Sequence, residues 1–392
     1  MKLADKDTCT GCGACKAACR KGAIDFQKDE NGFFVPVVDA GKCVDCNQCS
    51  QACHVLNPPD RNPVRAAYAA QTTDKELLME STSGALFPVL AQAVLRNSGV
   101  VYGCVWDEKY NAVFSRAESE EQTVPMKGSK YVWSWAGDVL AQVKEDLENG
   151  REVLFAGLPC QVAGVKKFLR KDYDNLFLMD CLCNGAPSPM AFRKYLETIV
   201  PEEKLSELNL KFRDKSKYGV GVHITYNGLK KQRKGDYIRN PYYYAFYKHM
   251  LDRESCYQCS YGTDQRISDI TVGDYWGVDL YHKEMDIKGG VSALLVNTEK
   301  GEKLVARMKD QLALVETKKE YISKANNLLL NGKSRKRTVP EIREKFFPEL
   351  RENGWKAAEK KYLHSFSRFR QSMKFYAPGF VVDLARKMKK SK

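Results

Sequence analysis

The strongest constraint on this chain is a repeated cysteine spacing near its start: Cys9-x2-Cys12-x2-Cys15-x3-Cys19, then Cys43-x2-Cys46-x2-Cys49-x3-Cys53. Three thiolates set two residues apart wrap one face of an inorganic cubane, and the fourth ligand must then come from elsewhere. In a run of this kind the fourth cysteine serves the other cluster. Cys9, Cys12, Cys15 and Cys53 are therefore expected to hold one [4Fe–4S] cluster, and Cys43, Cys46, Cys49 and Cys19 a second. Gly11 and Gly13 let the backbone turn closely and bring N–H groups near the sulfurs. CxxC pairs also bind zinc, but zinc takes four ligands per site in two pairs and does not call for two identical four-cysteine runs. A proline commonly follows the fourth cysteine. Arg20 and His54 stand there instead, a change that bears on potentials rather than on cluster assembly.

At 392 residues, with 43% hydrophobic and 11% aromatic content, the chain is long enough for two or three domains with a sizeable core. No stretch approaches the ~20 uncharged apolar residues of a membrane span, and the polar start from Met1 to Thr8 holds no apolar leader. The expectation is a cytoplasmic protein whose cysteines stay reduced and serve as ligands. The net charge of +14 lies wholly in residues 301–392, where 24 Lys and Arg face 10 Asp and Glu, while residues 1–300 are neutral. A neutral body with no aromatic-interleaved basic surface argues against a nucleic-acid partner.

Pro58, Pro59 and Pro63 mark a linker after the cysteine-rich head. Beyond it, helical stretches at 83–97, 135–148, 162–170 and 190–199 alternate with apolar strands at 100–105, 152–156 and 176–181. A strand-rich portion follows at 208–212, 222–226, 270–272 and 291–296. Strands alternating with helices predict a helix-covered sheet, α/β or α+β.

Six cysteines remain. Cys160 follows the strand at 152–156, in Gly157-Leu158-Pro159-Cys160-Gln161. Cys183 follows the next strand, in Cys181-Leu182-Cys183-Asn184-Gly185, and Cys256-x2-Cys259 is a pair. Ligands collect beyond the carboxyl ends of strands in such sheets, so Cys160, Cys183, Cys256 and Cys259 supply the thiolate count of a third cluster. Cys104 reads as a core residue, and Cys181 as core first and reserve ligand second.

These residues sit in ordered motifs: Ser81-Thr82-Ser83-Gly84, Gly128-Ser129-Lys130-Tyr131, the 157–161 segment, Cys183 to Pro189, and Ser268 to Gly277 after the CxxC pair. Together they resemble the coenzyme F420 hydrogenase/dehydrogenase beta-subunit family over roughly residues 65–300. The resemblance implies an FAD held beside an iron–sulfur cluster. It assigns flavin contacts to Ser81, Thr82, Ser83, Gly84, Lys127, Gly128, Ser129, Lys130, Tyr131, Gly157, Pro159, Gln161 and Asp274. The residues agree in kind, since a Ser/Thr run opening a helix and a Gly-Ser-Lys turn suit a phosphate. Each is also an ordinary cap or turn. Ala85 stands where members commonly carry a second glycine, and Asn184 where they often carry His, which leaves the deazaflavin partner open.

The fold class expected is thus α+β. A bacterial ferredoxin-like domain (1–60) is followed by an α/β flavin-binding domain (65–300) and a basic, mostly helical segment (301–392). The expected function is an oxidoreductase passing electrons between a two-electron organic partner at the flavin and one-electron carriers at the clusters. Its partners would be a ferredoxin or redox subunit and a deazaflavin coenzyme or biosynthetic substrate. The alternative is a non-catalytic electron-transfer subunit. Residues 333–337 and 366–392 form basic runs. A helix from about Phe380 would lay Phe380, Val381, Val382 and Leu384 on an anionic bilayer, at the inner membrane face. Its binding would be weak and salt-reversible, each basic group contributing about 1 kcal/mol. The plainer expectation is a docked surface helix with a frayed basic end. The head alone predicts about eight irons per chain, counted on anaerobically purified protein. Zinc in place of iron would overturn it.

Overall fold

The computed structural model describes residues 2–213, 215, 224–227, 234–235, 240–326, 335–336 and 339–363. The basic run at 366–392 lies outside them, as do most of 333–337. In the head, Ala14–Ala18 (α1) follows Cys12, strands Ile24–Lys28 (β1) and Phe34–Val38 (β2) pair antiparallel, and Gln48–Gln51 (α2) follows Cys46. An eight-stranded mixed sheet forms the body. Its strands in chain order are Ala66–Thr72 (β3), Val100–Trp106 (β4), Ala112–Ala117 (β5), Val153–Ala156 (β6), Leu176–Cys181 (β7), Ile270–Asp274 (β8), Ser292–Val296 (β9) and Leu312–Glu316 (β10). They lie in the order β10-β3-β9-β8-β7-β6-β4-β5, with β8, β7, β6 and β4 parallel.

The parallel strands read as continuous apolar runs because both faces are covered. Leu86–Leu95 (α3) and Glu299–Ala306 (α4) bury Val89, Leu90, Leu304 and Val305 on one face, against Leu154, Phe177 and Met179. On the other, Leu140–Glu148 (α5) and Pro159–Leu169 (α6) pack with Tyr102, Phe155 and Leu178. Ala14, Ala18 and Ala52 of the head belong to this second core, so the head rests on α6. A separate aromatic core gathers Phe192, Tyr242, Tyr243, Phe346 and Trp355. Its last members lie on the helix Glu341–Tyr362, which is broken at Gly354 where φ is 77°.

Three departures from expectation have local causes. α6 begins at Pro159, three residues early, because proline suits the first turn and Gln161 Oε1 accepts from the Leu158 N–H at 2.8 Å. The helix expected from residue 135 starts at Leu140, because Trp135 forms a bridge with Val113 and its indole N–H donates to Asp138 at 2.7 Å. The sheet takes its edge strand from 312–316, so the body's fold continues past residue 300.

Head and body meet through residues with no side chain. A Cβ on Gly13 would fall 2.3 Å from Gly137 Cα, and one on Gly164 would fall 2.9 Å from Cys12 Sγ. Gly13 and Gly22 both have left-handed φ, 82° and 59°, but Gly22 has no neighbour within 4 Å. Gly22→Ala is expected to cost the left-handed penalty alone, about 1–2 kcal/mol. Gly13→Ala adds a backbone clash of about 1–3 kcal/mol and should lower the thermal midpoint of the iron-loaded chain further than Gly22→Ala. Equal midpoints would show that the contact is slack.

Candidate functional site

No disulfide joins any of the 14 cysteines. Cys9, Cys12, Cys15 and Cys53 line one cavity with about 350 Å³ of empty space, together with Phe26, Pro36, His54 and Val55. Burial pushes the Cys12 thiol up to about 12, and Cys9 and Cys53 raise it further. Cys15 is raised by burial and by the same three neighbours. Four buried thiols in mutual reach cannot all ionise without a multivalent cation among them, so their chemistry suits an iron–sulfur core. Cys49 is raised by burial and also by Cys19, placing Cys19 at the second run. Among the described residues no three His, Cys, Asp or Glu side chains converge on one point as the ligands of a single metal ion do. The first set surrounds a volume instead.

The four later cysteines also meet. Cys160 opens α6 just beyond β6, and Cys183 lies just beyond β7. The Cys183 loop bridges to the segment before Cys256 through Pro187 and Asp252, with the Arg253 N–H donating to Ala186 O at 3.0 Å. Burial raises the Cys160 thiol, and Cys183, Cys259, Cys256 and then Cys12 add to the rise. Cys256 is raised by burial, then by Asp252, Cys183 and Cys259. Cys181 hydrogen-bonds with Cys183 and is raised by it, which keeps it in reserve beside this set. The electrostatic reach from Cys12 to Cys160 joins the two thiol groups across the junction at Gly164.

His54, standing where a proline is common, fills this junction. Its Nε2 pairs with Thr10 Oγ1 at 2.8 Å and its Nδ1 with Tyr261 OH at 2.7 Å. The Tyr261 N–H donates to Cys259 Sγ at 3.4 Å. Burial pushes His54 down to about 4, so it is neutral. The sequence reading passed over Tyr261 and Arg253, which carry no local motif.

The residues assigned to a flavin divide in two. Ser81 to Gly84 precede α3 near the ends of β8 and β9. Ser83 Oγ donates to Val291 O at 2.9 Å and the Gly84 N–H to Ser292 Oγ at 2.8 Å, while Ala85 takes the left-handed conformation, φ 61°, that glycine adopts freely. Lys127 pairs with Glu80 at 2.9 Å and Asp274 with Arg213 at 2.6 Å. Lys215 donates to Leu78 O and Ser83 O, both at 2.6 Å; burial, then Arg213, push it down to about 8. Arg213 and Lys215 were not foreseen. Ser81 Oγ and Arg213 Nη2 are buried there without a partner. Lys130 instead folds onto its own loop, its Nζ within 3.4 Å of the carbonyls of Met126, Lys127 and Gly128. Gly128 is left-handed at φ 85°, and Ser129 lies in the same loop. Tyr131 joins the aromatic core against Phe246. Pro159 and Gln161 cap α6, with Gln161 Nε2 donating to Ser134 O at 3.0 Å, and a Cβ on Gly157 would meet the Phe155 ring at 2.9 Å.

Two runs of four thiols on a small head, set against an α/β sheet with further thiols at its strand ends, define an iron–sulfur protein of ferredoxin-and-sheet type. Residues 8–56 are a 4Fe-4S dicluster domain. Residues 150–320 belong to the coenzyme F420 hydrogenase/dehydrogenase family, matching the C terminus of its beta subunit. The chain is similar to an F(420)H(2) dehydrogenase subunit from Methanosarcina mazei, 23% identical over 82% of this chain and 88% of that protein. It is also similar to the coenzyme F420-dependent sulfite reductase of Methanocaldococcus jannaschii, 24% identical over 81% of this chain and 49% of that protein, of which it spans about half the length. Among solved structures it resembles a chain of the F420-reducing [NiFe] hydrogenase complex of Methanosarcina barkeri, 16% identical with TM-score 0.48, over 69% of this chain and 89% of that one.

Cys19 sits in the first run by sequence and beside Cys49 in space. Cys19→Ser is therefore expected to remove the EPR signal of the cluster at Cys43, Cys46 and Cys49 and to spare the one at Cys9, Cys12 and Cys15. Loss of the sequence-adjacent cluster alone would refute the crossed arrangement.

Proposed function

We propose that this chain is an iron–sulfur and flavin oxidoreductase that exchanges electrons between a two-electron organic partner and one-electron carriers. A flavin takes electrons in pairs and gives them singly, which matches it to cubanes that take one at a time. The observation that carries the reading is the contact between the two thiol groups. Cys12 of the head lies against Gly164 of α6, and Cys160 stands one turn earlier on the same helix. Cys9, Cys12, Cys15 and Cys53 would hold one cubane, Cys19, Cys43, Cys46 and Cys49 the second, and Cys160, Cys183, Cys256 and Cys259 a third. Buried partners lining the junction exclude water from it, and neutral His54 fixes Thr10 and Tyr261 without adding charge.

The unpartnered Ser81 Oγ and Arg213 Nη2, with Lys215 beside them, support an FAD near the ends of β8 and β9. The names of the relatives support a deazaflavin coenzyme as the organic partner and a ferredoxin or redox subunit as the other. A peripheral membrane contact belongs to the tail; no helix among the described residues is long and apolar enough to cross a membrane. The second reading, an electron-transfer subunit without flavin, is favoured by Lys130 and Gln161, whose polar atoms are engaged within the protein.

Two measurements test this reading. The intact chain is expected to contain about twelve irons, falling by about four in the Cys256→Ser/Cys259→Ser double variant. A count near eight, with Cys160, Cys183, Cys256 and Cys259 open to alkylation, would exclude the third cluster. Flavin released by acid should approach one per chain, and reduced deazaflavin coenzyme should bleach the visible spectrum. No flavin in iron-replete protein would leave the electron-transfer subunit standing.

A further inference from the structure

One deeply buried cation in this protein has no counter-charge. Arg253 is 3% exposed. Its Nε donates to the Cys9 carbonyl at 2.7 Å and its Nη2 to the Phe34 carbonyl at 2.9 Å. The guanidinium carbon lies 5.2 Å from the ring centre of Phe33 and 5.3 Å from that of Trp133. Nη1 has no partner. Gly11 leaves the room beside it, since a Cβ there would fall 3.0 Å from that nitrogen. Among the described residues two carbonyls and two rings hold this cation, and no carboxylate does. A buried guanidinium without an anion is strongly unfavourable, so the fold has to bring an anion to it. The acidic group in reach is the first thiol set: Arg253 pulls the Cys9 thiol down, against the larger rise that burial imposes.

We propose that Arg253 is the counter-ion of the cluster held by Cys9, Cys12, Cys15 and Cys53 and sets its reduction potential, an inference that rests on that ligand assignment. A [4Fe–4S] core with four thiolates is a dianion, and it becomes a trianion on taking up one electron, with no proton exchanged. A fixed cation in a low-dielectric site favours the more negative state, so Arg253 raises the potential. Nη1 is the donor left for this cluster, and the Phe33 and Trp133 rings keep water from screening the charge. The cluster nearest Gly164 and Cys160 thereby becomes the better electron acceptor of the head. Electrons reaching the head are drawn toward the body.

The test is an EPR-monitored potentiometric titration of the full-length, anaerobically purified chain. In Arg253→Gln the reduced-to-oxidised ratio of one head cluster, at fixed potential, should fall about tenfold. That is a shift of about 59 mV for a one-electron couple, with the other clusters unmoved. Arg253→Lys, which keeps the charge, should hold most of the wild-type value. Unchanged potentials at wild-type iron content would overturn the proposal. If the Gln variant fails to hold iron, wild-type protein grown with nitrogen-15 arginine decides the matter. Pulsed EPR of the reduced chain should detect a nitrogen-15 coupling to a cluster spin that Arg253→Lys abolishes, and no such coupling would overturn it. A wild-type chain with no cluster signal would instead remove the ligand assignment itself.

Discussion

The close approach of backbone at Gly13 to backbone at Gly137, and of Cys12 to Gly164, governs how the rest of the protein is arranged. A side chain at either glycine would hold the head off the sheet by the thickness of a methyl group. Without one, α1 sinks its alanines into the core shared by α5 and α6, and the first thiol cavity comes to rest on the helix that begins with Cys160. The Trp133 indole N–H donates to Thr10 O at 3.2 Å and the Trp133 N–H to Pro187 O at 2.8 Å. One tryptophan thus ties the first cysteine loop to the Cys183 loop. Proximity of the two thiol groups follows from packing small residues together, not from any attraction between the sulfurs.

That proximity has an electrostatic consequence. Each thiol set is buried enough that its members raise one another, and Cys160 responds to thiols from both sets. Such a site resists accumulating bare negative charge. The surroundings meet this with groups that are neutral or positive: His54 held neutral between a threonine and a tyrosine, Arg253 between two aromatic rings, and Arg266 paired with Asp180 at 2.9 Å behind Cys181. The Asp180 pair is closed by Thr271, so it stabilises the end of β7 without contributing net charge at the thiols.

Much of the site was legible in one dimension. The regular cysteine spacing gives ligand identity, because a short loop can place thiolates around a cluster only at a few intervals. The strands at 176–181 and 153–156 were legible because residues covered on both faces must be apolar throughout. Other elements were hidden for equally physical reasons. β3, Ala-Ala-Tyr-Ala-Ala-Gln-Thr, is built of residues with little strand preference and is held by partners on both sides, β9 and β10. β10 lies in a charged stretch that reads as helix and surface. The start of α6 turned on Gln161 reaching back to Leu158, a contact no periodicity reveals.

By itself, the sequence determined which groups can ligate metal and which segments must be buried, because both depend on residue type and short spacing. Only the tertiary structure decided which thiols face one another across the domains, and which buried charges are left without partners. Arg253 lies 244 residues from Cys9, whose carbonyl it caps. Ser81, Arg213 and Lys215 meet near the ends of β8 and β9 through chain returns spanning more than a hundred residues. Those relations depend on where the backbone can approach itself closely, and that is set by the packing of the whole sheet.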